Sequence, residues 1–261
     1  HVRMPMADFA RVTALIAPRR IIDATAVVQR VREIKSEAEI AKIKATCGIA
    51  DRVFARVPEF AQIGRPLDQV FRDFQIALLA EGADWVSYVA GAAGQGGYGD
   101  VISPATDKPL AVGDILMLDT GAVRDGYFCD FDRNYAIGPP SDAVRRAHDA
   151  LYAATDVALA TLRPGMKACE LYDILKRGLQ DAGAVPGGGR MGHGLGITLT
   201  EWPSLTAKDT TELREGMVLT LEPGVEVAPG RFIVHEENIV LRADGPALLS
   251  SRAPAQLPQI D

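Results

Sequence analysis

Two carboxylates in this chain stand at the ends of matching apolar runs. Residues 113–121 read Gly-Asp-Ile-Leu-Met-Leu-Asp-Thr-Gly, and residues 216–224, 103 positions later, read Gly-Met-Val-Leu-Thr-Leu-Glu-Pro-Gly. Each frame delivers one acid, Asp119 or Glu222, to a glycine turn. An apolar run bounded by glycines reads as a buried strand, and a carboxylate at its end is costly unless something compensates it. Two such ends point to a shared compensator, and a metal leads. The strands that return from these runs supply one acid each: Asp130 follows Asp119 by eleven residues and Glu236 follows Glu222 by fourteen. In a hairpin such acids can meet across the ladder. Four clustered like charges would keep several carboxyls protonated, whereas two divalent cations would cancel them. His193, in Gly192-His193-Gly194-Leu195-Gly196, is the candidate nitrogen ligand, with glycines that let the backbone crowd the site. Separate surface ion pairs are the plainer reading of the acids, but they leave the apolar runs that feed them unexplained.

The elements that must position these groups come in two similar sets. Ser36-Glu37-Ala38-Glu39 is a capping box, and behind it Ile40, Ile43, Cys47, Ala50, Phe54 and Val57 fall at helical spacing up to Pro58. Pro66 opens a second helix at its first position, with Leu67, Val70, Phe71, Phe74 and Leu78 on one face, ending by Gly82. In the second set Ser141 caps a helix carrying Val144, His148, Leu151, Ala158 and Leu162, and Leu171, Ile174, Leu175 and Leu179 mark another. Each set then runs through a glycine-rich segment into an apolar strand, 115–119 or 217–222, and a return strand, 127–137 or 231–241. The offsets agree: Ser36 to Ser141 is 105 and Pro66 to Lys167 is 101, against 103 for the strands. Three matches near one period point to an internal duplication and to one pseudo-symmetric α+β domain over residues 36–261, with halves at about 36–138 and 141–242. Residues 1–35 show no long period and read as the remnant of a preceding segment plus a linker, and the tail from Gly245 reads as irregular. The first residue, His1, is the start expected of a trimmed version of something longer.

The 261 residues suffice for a substantial core, and 48% apolar with 24% charged residues is ordinary globular composition. A net charge of −6 argues against a nucleic-acid partner, whose phosphates need Lys and Arg. No run approaches the ~18 apolar residues of a membrane span, so no membrane partner is expected. Three widely spaced cysteines, Cys47, Cys129 and Cys169, imply neither a disulfide framework nor a zinc knuckle and fit a cytoplasmic setting. Gly94 to Gly99 spells a dinucleotide-binding fingerprint. That motif requires a helix next, to offer its N-terminus to phosphates, and Pro104 and Pro109 follow instead. The stretch reads as a loop bordering a pocket.

The order Leu118-Asp119-Thr120-Gly121, Asp130, Gly192-His193-Gly194-Leu195-Gly196, Glu222-Pro223-Gly224 and a final-strand Glu236 resembles the pita-bread metallopeptidases. These include methionine aminopeptidases, Xaa-Pro aminopeptidases and prolidases, with relatives such as creatinase. The resemblance covers about residues 30–242 and implies a pita-bread fold: duplicated αα-ββ halves around a curved antiparallel sheet. It implies that Asp119 chelates one metal, that Asp130 and Glu236 bridge two, and that His193 and Glu222 hold the other. It further implies a metal-bridging water that attacks a scissile amide, with Glu222 as proton acceptor and Glu222 and His193 as the catalytic pair. Of the divalent ions manganese, cobalt, iron and zinc, manganese suits an oxygen-rich set with one imidazole best. A homodimer is the implied assembly.

Departures from the pattern concern the substrate. Many members carry a second histidine seven residues after the first; here Thr200 stands there, in Thr200-Glu201-Trp202-Pro203. Residues 91–112 lack the histidine that the peptidases place before the first metal strand, and Tyr98 and Asp100 are the polar groups nearby. Asp132 replaces a threonine in Asp130-Phe131-Asp132-Arg133. It shares a strand face with Asp130 and either points at the metals or pairs with an arginine such as Arg190. His235 should face away from Glu236 by alternation, and Val234 replaces an arginine often found there. Tyr98, Thr200 and Asp132 are therefore the candidate substrate-binding residues. A metal-dependent Xaa-Pro peptidase acting on small peptides is the leading expectation. The alternative is a non-peptidase acting on a small amide, amidine or osmolyte-type compound, as creatinase, ectoine hydrolase and dimethylsulfoniopropionate lyase do. A catalytically inactive binding module fits less well, because the ligand set is complete.

Overall fold

A computed structural model describes residues 4–102 and 104–261. They divide into two compact units, residues 1–32 and 33–261. The first unit contains α1 (Met6–Ile16) and most of α2 (Thr25–Glu33). Asp23 starts α2 by accepting from the backbone N–H and the hydroxyl of Thr25. The stretch read as a remnant plus a linker thus carries two helices. Neither helix buries a side chain, so no apolar stripe is imposed on its sequence.

The second unit opens with α3 (Glu37–Phe54), whose Ser36 and Glu39 form the expected reciprocal cap. Ile40, Ile43, Cys47, Ala50, Val53 and Phe54 form its buried face. A short α4 (Val57–Phe60) precedes α5 (Leu67–Ala80), for which Pro66 is the cap rather than the first helical residue. Strands β1 (Trp85–Gln95), β2 (Asp114–Arg124), β3 (Tyr127–Phe128) and β4 (Phe131–Ile137) follow. Among the described residues no helix follows directly on Gly94–Gly99, and β1 runs to Gln95 and takes in the first two residues of that stretch.

Helices α6 (Asp142–Thr161) and α7 (Ala168–Asp181) open the second half. Then come β5 (Val185–Pro186), β6 (His193–Gly194), β7 (Glu201–Ser204), β8 (Val218–Leu221) and β9 (Gly224–Ala228). The chain ends with β10 (Arg231–Val234), β11 (Glu237–Arg242), β12 (Gly245–Leu248) and β13 (Gln259–Ile260). The return strand expected over 231–241 is therefore two strands, and the tail carries two more. One sheet has the order β1-β2-β4-β13 with β3 beside β2, and a second runs β12-β11-β8-β6-β7. A small third sheet joins β10, β9 and β5. Pairing is antiparallel except where β13 lies parallel to β4.

The halves repeat hydrogen bond for hydrogen bond. Gly64 N–H donates to Leu110 and Gly165 N–H to Leu213; Leu67 bonds Lys108 as Ala168 bonds Thr211; Gly113 bonds Ile137 as Gly216 bonds Leu241. Even the closest backbone approaches recur. A side chain on Gly91 would meet the Met117 carbonyl oxygen at 2.1 Å, and one on Gly192 would meet that of Thr220 at 2.2 Å. Only glycine lets β1 in the first half, and the segment entering β6 in the second, lie so close to the acid-bearing strand. Both acid-bearing strands are buried on both faces, which explains their apolar runs.

Candidate metal centre

One acid sits within a strand and three sit where the strands lapse. Asp119 lies on β2, Asp130 in the break between β3 and β4, Glu222 just after β8, and Glu236 in the break between β10 and β11. Directly opposite Asp119 in the ladder is Asp132, not Asp130. Asp130 arrives from the break instead, where the backbone is free of ladder register. Asn238 pins that break, accepting from the Asp130 N–H at 3.0 Å and donating to the Asp130 carbonyl. Across the halves, the Glu236 N–H donates to Asp132 Oδ1 at 2.9 Å. Arg133 donates to the Glu236 carbonyl at 2.7 Å and to the Glu237 carboxylate at 3.0 Å. Each acid-bearing break is thus tied by backbone hydrogen bonds to side chains of the other half.

His193 opens β6. Its Nδ1 lies 2.8 Å from the Gly194 carbonyl, which turns Nε2 toward the acids. Nε2 is 3.2 Å from Asp130 Oδ2 and 4.0 Å from Glu222 Oε2. Ligand atoms of Asp130, His193 and Glu236 all lie within 4.8 Å of one another. Tyr88 brings Asp119 into the cluster: its hydroxyl is 3.0 Å from Asp119 Oδ1 and also contacts Asp130 Oδ1. Glu222 turns its other oxygen outward to Arg190, whose Nε donates at 2.8 Å. All five expected ligands, with Asp132, line one cavity of about 810 Å³.

Electrostatics make this cluster uncomfortable without a cation. Burial, then the charges of Asp130 and Asp132, pushes Asp119 well above the carboxylate range. Burial and the surrounding acids do the same to Glu236. Burial raises Asp132 to about 7 against the pull of Arg133. Burial also raises Glu222, while His193 and Arg190 draw it down. For His193, burial pulls downward, but the hydrogen bond it donates to Asp130 and the nearby carboxylates outweigh that and raise the imidazole. Glu236 Oε1 and Asp132 Oδ2 are buried with no hydrogen-bond partner. An acceptor-only oxygen in that position calls for a cation. The donor set, carboxylate oxygens and one imidazole, fits a divalent metal.

The substrate candidates divide. Thr200 is exposed and lines the cavity, and Asp132 is buried and lines it too. Asp132 does not pair with Arg190, which is taken by Glu222. Tyr98 is a correction: it is fully buried and absent from the cavity wall. Its hydroxyl accepts from the Val234 N–H and bonds Asn134, so it ties the first half to β10. His235 turns away from the acids, as alternation predicts, and lies 3.3 Å from Glu237 in a buried network with Arg252. Burial lowers its imidazole to about 4. Sequence reasoning missed Tyr88 and Asn238 as partners of the acids, and offered Arg190 to Asp132 where the structure gives it to Glu222.

Residues 41–243 match the model of metallopeptidase family M24. The chain belongs to that family. As an M24 chain it is 34% identical over 257 residues to a probable dipeptidase PepE of Mycobacterium bovis, covering 97% of this chain and 66% of that protein. It is 30% identical over 223 residues to an Xaa-Pro dipeptidase of Pyrococcus horikoshii, covering 84% of this chain and 63% of that one. It thus spans about two thirds of the length of these relatives. Among solved structures, an X-Pro aminopeptidase from Thermotoga maritima superposes with a TM-score of 0.90 at 27% identity, over 98% of this chain and 72% of that one. Dipeptidase PepE from Mycobacterium ulcerans gives 0.87 at 32%, over 99% and 69%. The α+β pita-bread fold implied by the motifs is the fold of this M24 chain.

Proposed function

We propose that this chain carries the catalytic unit of a dinuclear metal-dependent hydrolase that cleaves the amide bond of Xaa-Pro dipeptides and related small peptides. The observation that carries the reading is the convergence, on one cavity, of Asp119, Asp130, His193, Glu222 and Glu236 from both halves, with buried carboxylate oxygens lacking any partner. The names of its relatives, Xaa-Pro dipeptidase and X-Pro aminopeptidase, support the substrate class. In this reading the five residues hold two divalent ions, with manganese favoured. Bound ions of this kind supply Lewis acidity, lowering the pKa of a water from ~15.7 towards ~7 and stabilising negative charge on a carbonyl oxygen.

The chain's own groups do the rest. Glu222, half-buried at the edge of the acid cluster, accepts the proton of the attacking water and returns it to the leaving nitrogen. Nonpolar side chains of the wall, among them Val89, Met117, Phe232 and Val234, suit a pyrrolidine ring and exclude water from it. Thr200 and Asp132 are the polar groups placed to contact substrate.

The test is hydrolysis of Xaa-Pro dipeptides with and without a chelator. Metal-dependent cleavage is the expected result, and metal binding with no cleavage of any Xaa-Pro peptide overturns the substrate class. Thr200 and the histidine-free stretch 91–112 favour a second reading, a small amide or amidine as substrate, for which that outcome is the expected one. We further propose a cytoplasmic homodimer; a monomer by light scattering at micromolar concentration would contradict the assembly. Among the described residues no helix is long and apolar enough to cross a membrane.

A further inference from the structure

Tyr88 belongs to none of the motifs that announce the metal centre, yet its hydroxyl touches two of the proposed ligands. It reaches them because β1 carries an irregularity. Val86 pairs with Ala122 and Val89 with Thr120, so three steps along β1 match two along β2, and the extra residue falls at Ser87–Tyr88. A bulge of this kind re-aims a side chain out of the regular alternation. Three features hold it in place. Ser87 Oγ donates to the Gly121 carbonyl at 2.6 Å. Gly121 supplies the space for the ring, since a Cβ there would come within 2.5 Å of Tyr88 Cε1. The hydroxyl then sits 3.0 Å from Asp119 Oδ1 and in contact with Asp130 Oδ1, while Asp130 Oδ2 stays 3.2 Å from His193 Nε2. The glycine of the Asp119-Thr120-Gly121 motif lies within β2 rather than at a turn, and its purpose here is to leave room for the ring.

A phenol has one hydrogen to give, so it can donate to only one of the two carboxylates at a time. A phenylalanine would fill the same space, and a hydroxyl wedged between two buried acids serves packing no better. What it adds is a fixed side-chain link between Asp119 of β2 and Asp130 of the β3–β4 break, beside the backbone bond from Cys129 N–H to the Ala122 carbonyl.

We propose that Tyr88 is a positioning residue of the metal centre: its hydroxyl, donating to one carboxylate and lying against the other, fixes how Asp119 and Asp130 are oriented toward the divalent ions. The proposal rests on the metal-dependent reading above and deepens it by adding a residue outside the five ligands. It also accounts for an aromatic hydroxyl inside a strand that is otherwise small and apolar from Val89 to Ala93.

The test is direct metal binding by the full chain, with no substrate present. The protein and its Tyr88→Phe variant are titrated with Mn²⁺ by calorimetry, and the visible spectrum of each is recorded after loading with Co²⁺. The expected result is a Y88F protein that melts within a few degrees of the parent but binds at least one Mn²⁺ about 10–100-fold more weakly, the loss typical of an outer partner of a ligand. Its cobalt absorption band shifts, which a packing role for the ring would not cause. A Gly121→Ala variant, which displaces the ring while keeping the hydroxyl, is expected to weaken Mn²⁺ in the same direction. Equal Mn²⁺ constants and an unchanged cobalt spectrum in Y88F overturn the role of Tyr88 and leave the metal centre standing. A parent protein that binds neither ion overturns both.

Discussion

The two halves share a scaffold and differ in what surrounds their acids. Asp119 and Glu222 occupy equivalent positions: Ala90 stands opposite Asp119 on β1, and the Met191 carbonyl accepts from the Glu222 N–H at 3.0 Å. The first-half acid is half-buried, as Glu222 is, but enclosed by other acids and a phenol, facing the Tyr88 hydroxyl, Asp130 and Asp132. The second-half acid is half-open, with Arg190 on one oxygen and His193 4.0 Å from the other. Duplication therefore preserved the parts that deliver a carboxylate to one place, namely the caps, the close glycine approach and the buried strand. The groups that meet the carboxylate diverged. The enclosed half is suited to holding a cation and the open half to exchanging protons with substrate and solvent.

Ligand removal tests the enclosed half most severely. Asp130→Asn or Asp119→Asn should lower kcat/KM for a metal-activated substrate by more than the ~100-fold expected of an outer partner, with loss of bound metal measured on the same sample. On the open half, Arg190→Gln leaves the ligand set intact but frees Glu222 to change orientation. A loss of about 10–100-fold in kcat, with the metal content preserved, is expected from steady-state kinetics. A full loss of metal in R190Q would erase the contrast between the halves.

The raised carboxyls give the metal-free protein a pH signature. Asp132 moves from 3.8 to about 7 on folding. Between those values the folded chain keeps a proton that the unfolded chain has released, so stability falls as pH rises through that window. Asp119 and Glu236, raised further by burial and mutual repulsion, extend the window upward. The chelated protein should lose roughly 5 °C or more of Tm between pH 5 and pH 8 by thermal denaturation, and Mn²⁺ should restore more of it at the higher pH. The smallest effect is expected at the helix caps. Ser141→Ala removes an accepting hydroxyl at α6 and should cost about 1 kcal/mol in denaturant unfolding. Ser36→Ala should cost more, because Glu39 also answers Ser36 reciprocally.

Much of this was legible from the residues. Ser36 and Ser141 mark helix starts because capping depends on a hydroxyl and its nearest amides, which are local. The acids and His193 were legible because apolar runs and paired glycines constrain where they end. What stayed hidden depends on geometry between segments. Strand alternation assumes an unbroken ladder, so it could not foresee the bulge that aims Tyr88, nor that Asp132 rather than Asp130 faces Asp119. Tyr98 looked like a site residue because it is a polar group in the stretch where similar peptidases carry a histidine, yet its hydroxyl is spent on Val234 and Asn134. Helices α1 and α2 escaped notice because neither buries a face. Strands β12 and β13 are short and paired to distant partners.

The central claim is that both halves contribute to one metal centre. Metal content per chain settles it most directly, measured by elemental analysis after dialysis against Mn²⁺ for the parent, Asp119→Ala and Glu222→Ala. The account predicts two equivalents in the parent and a loss in each variant, one from either half. No bound metal in the parent, or full retention in either variant, would contradict it.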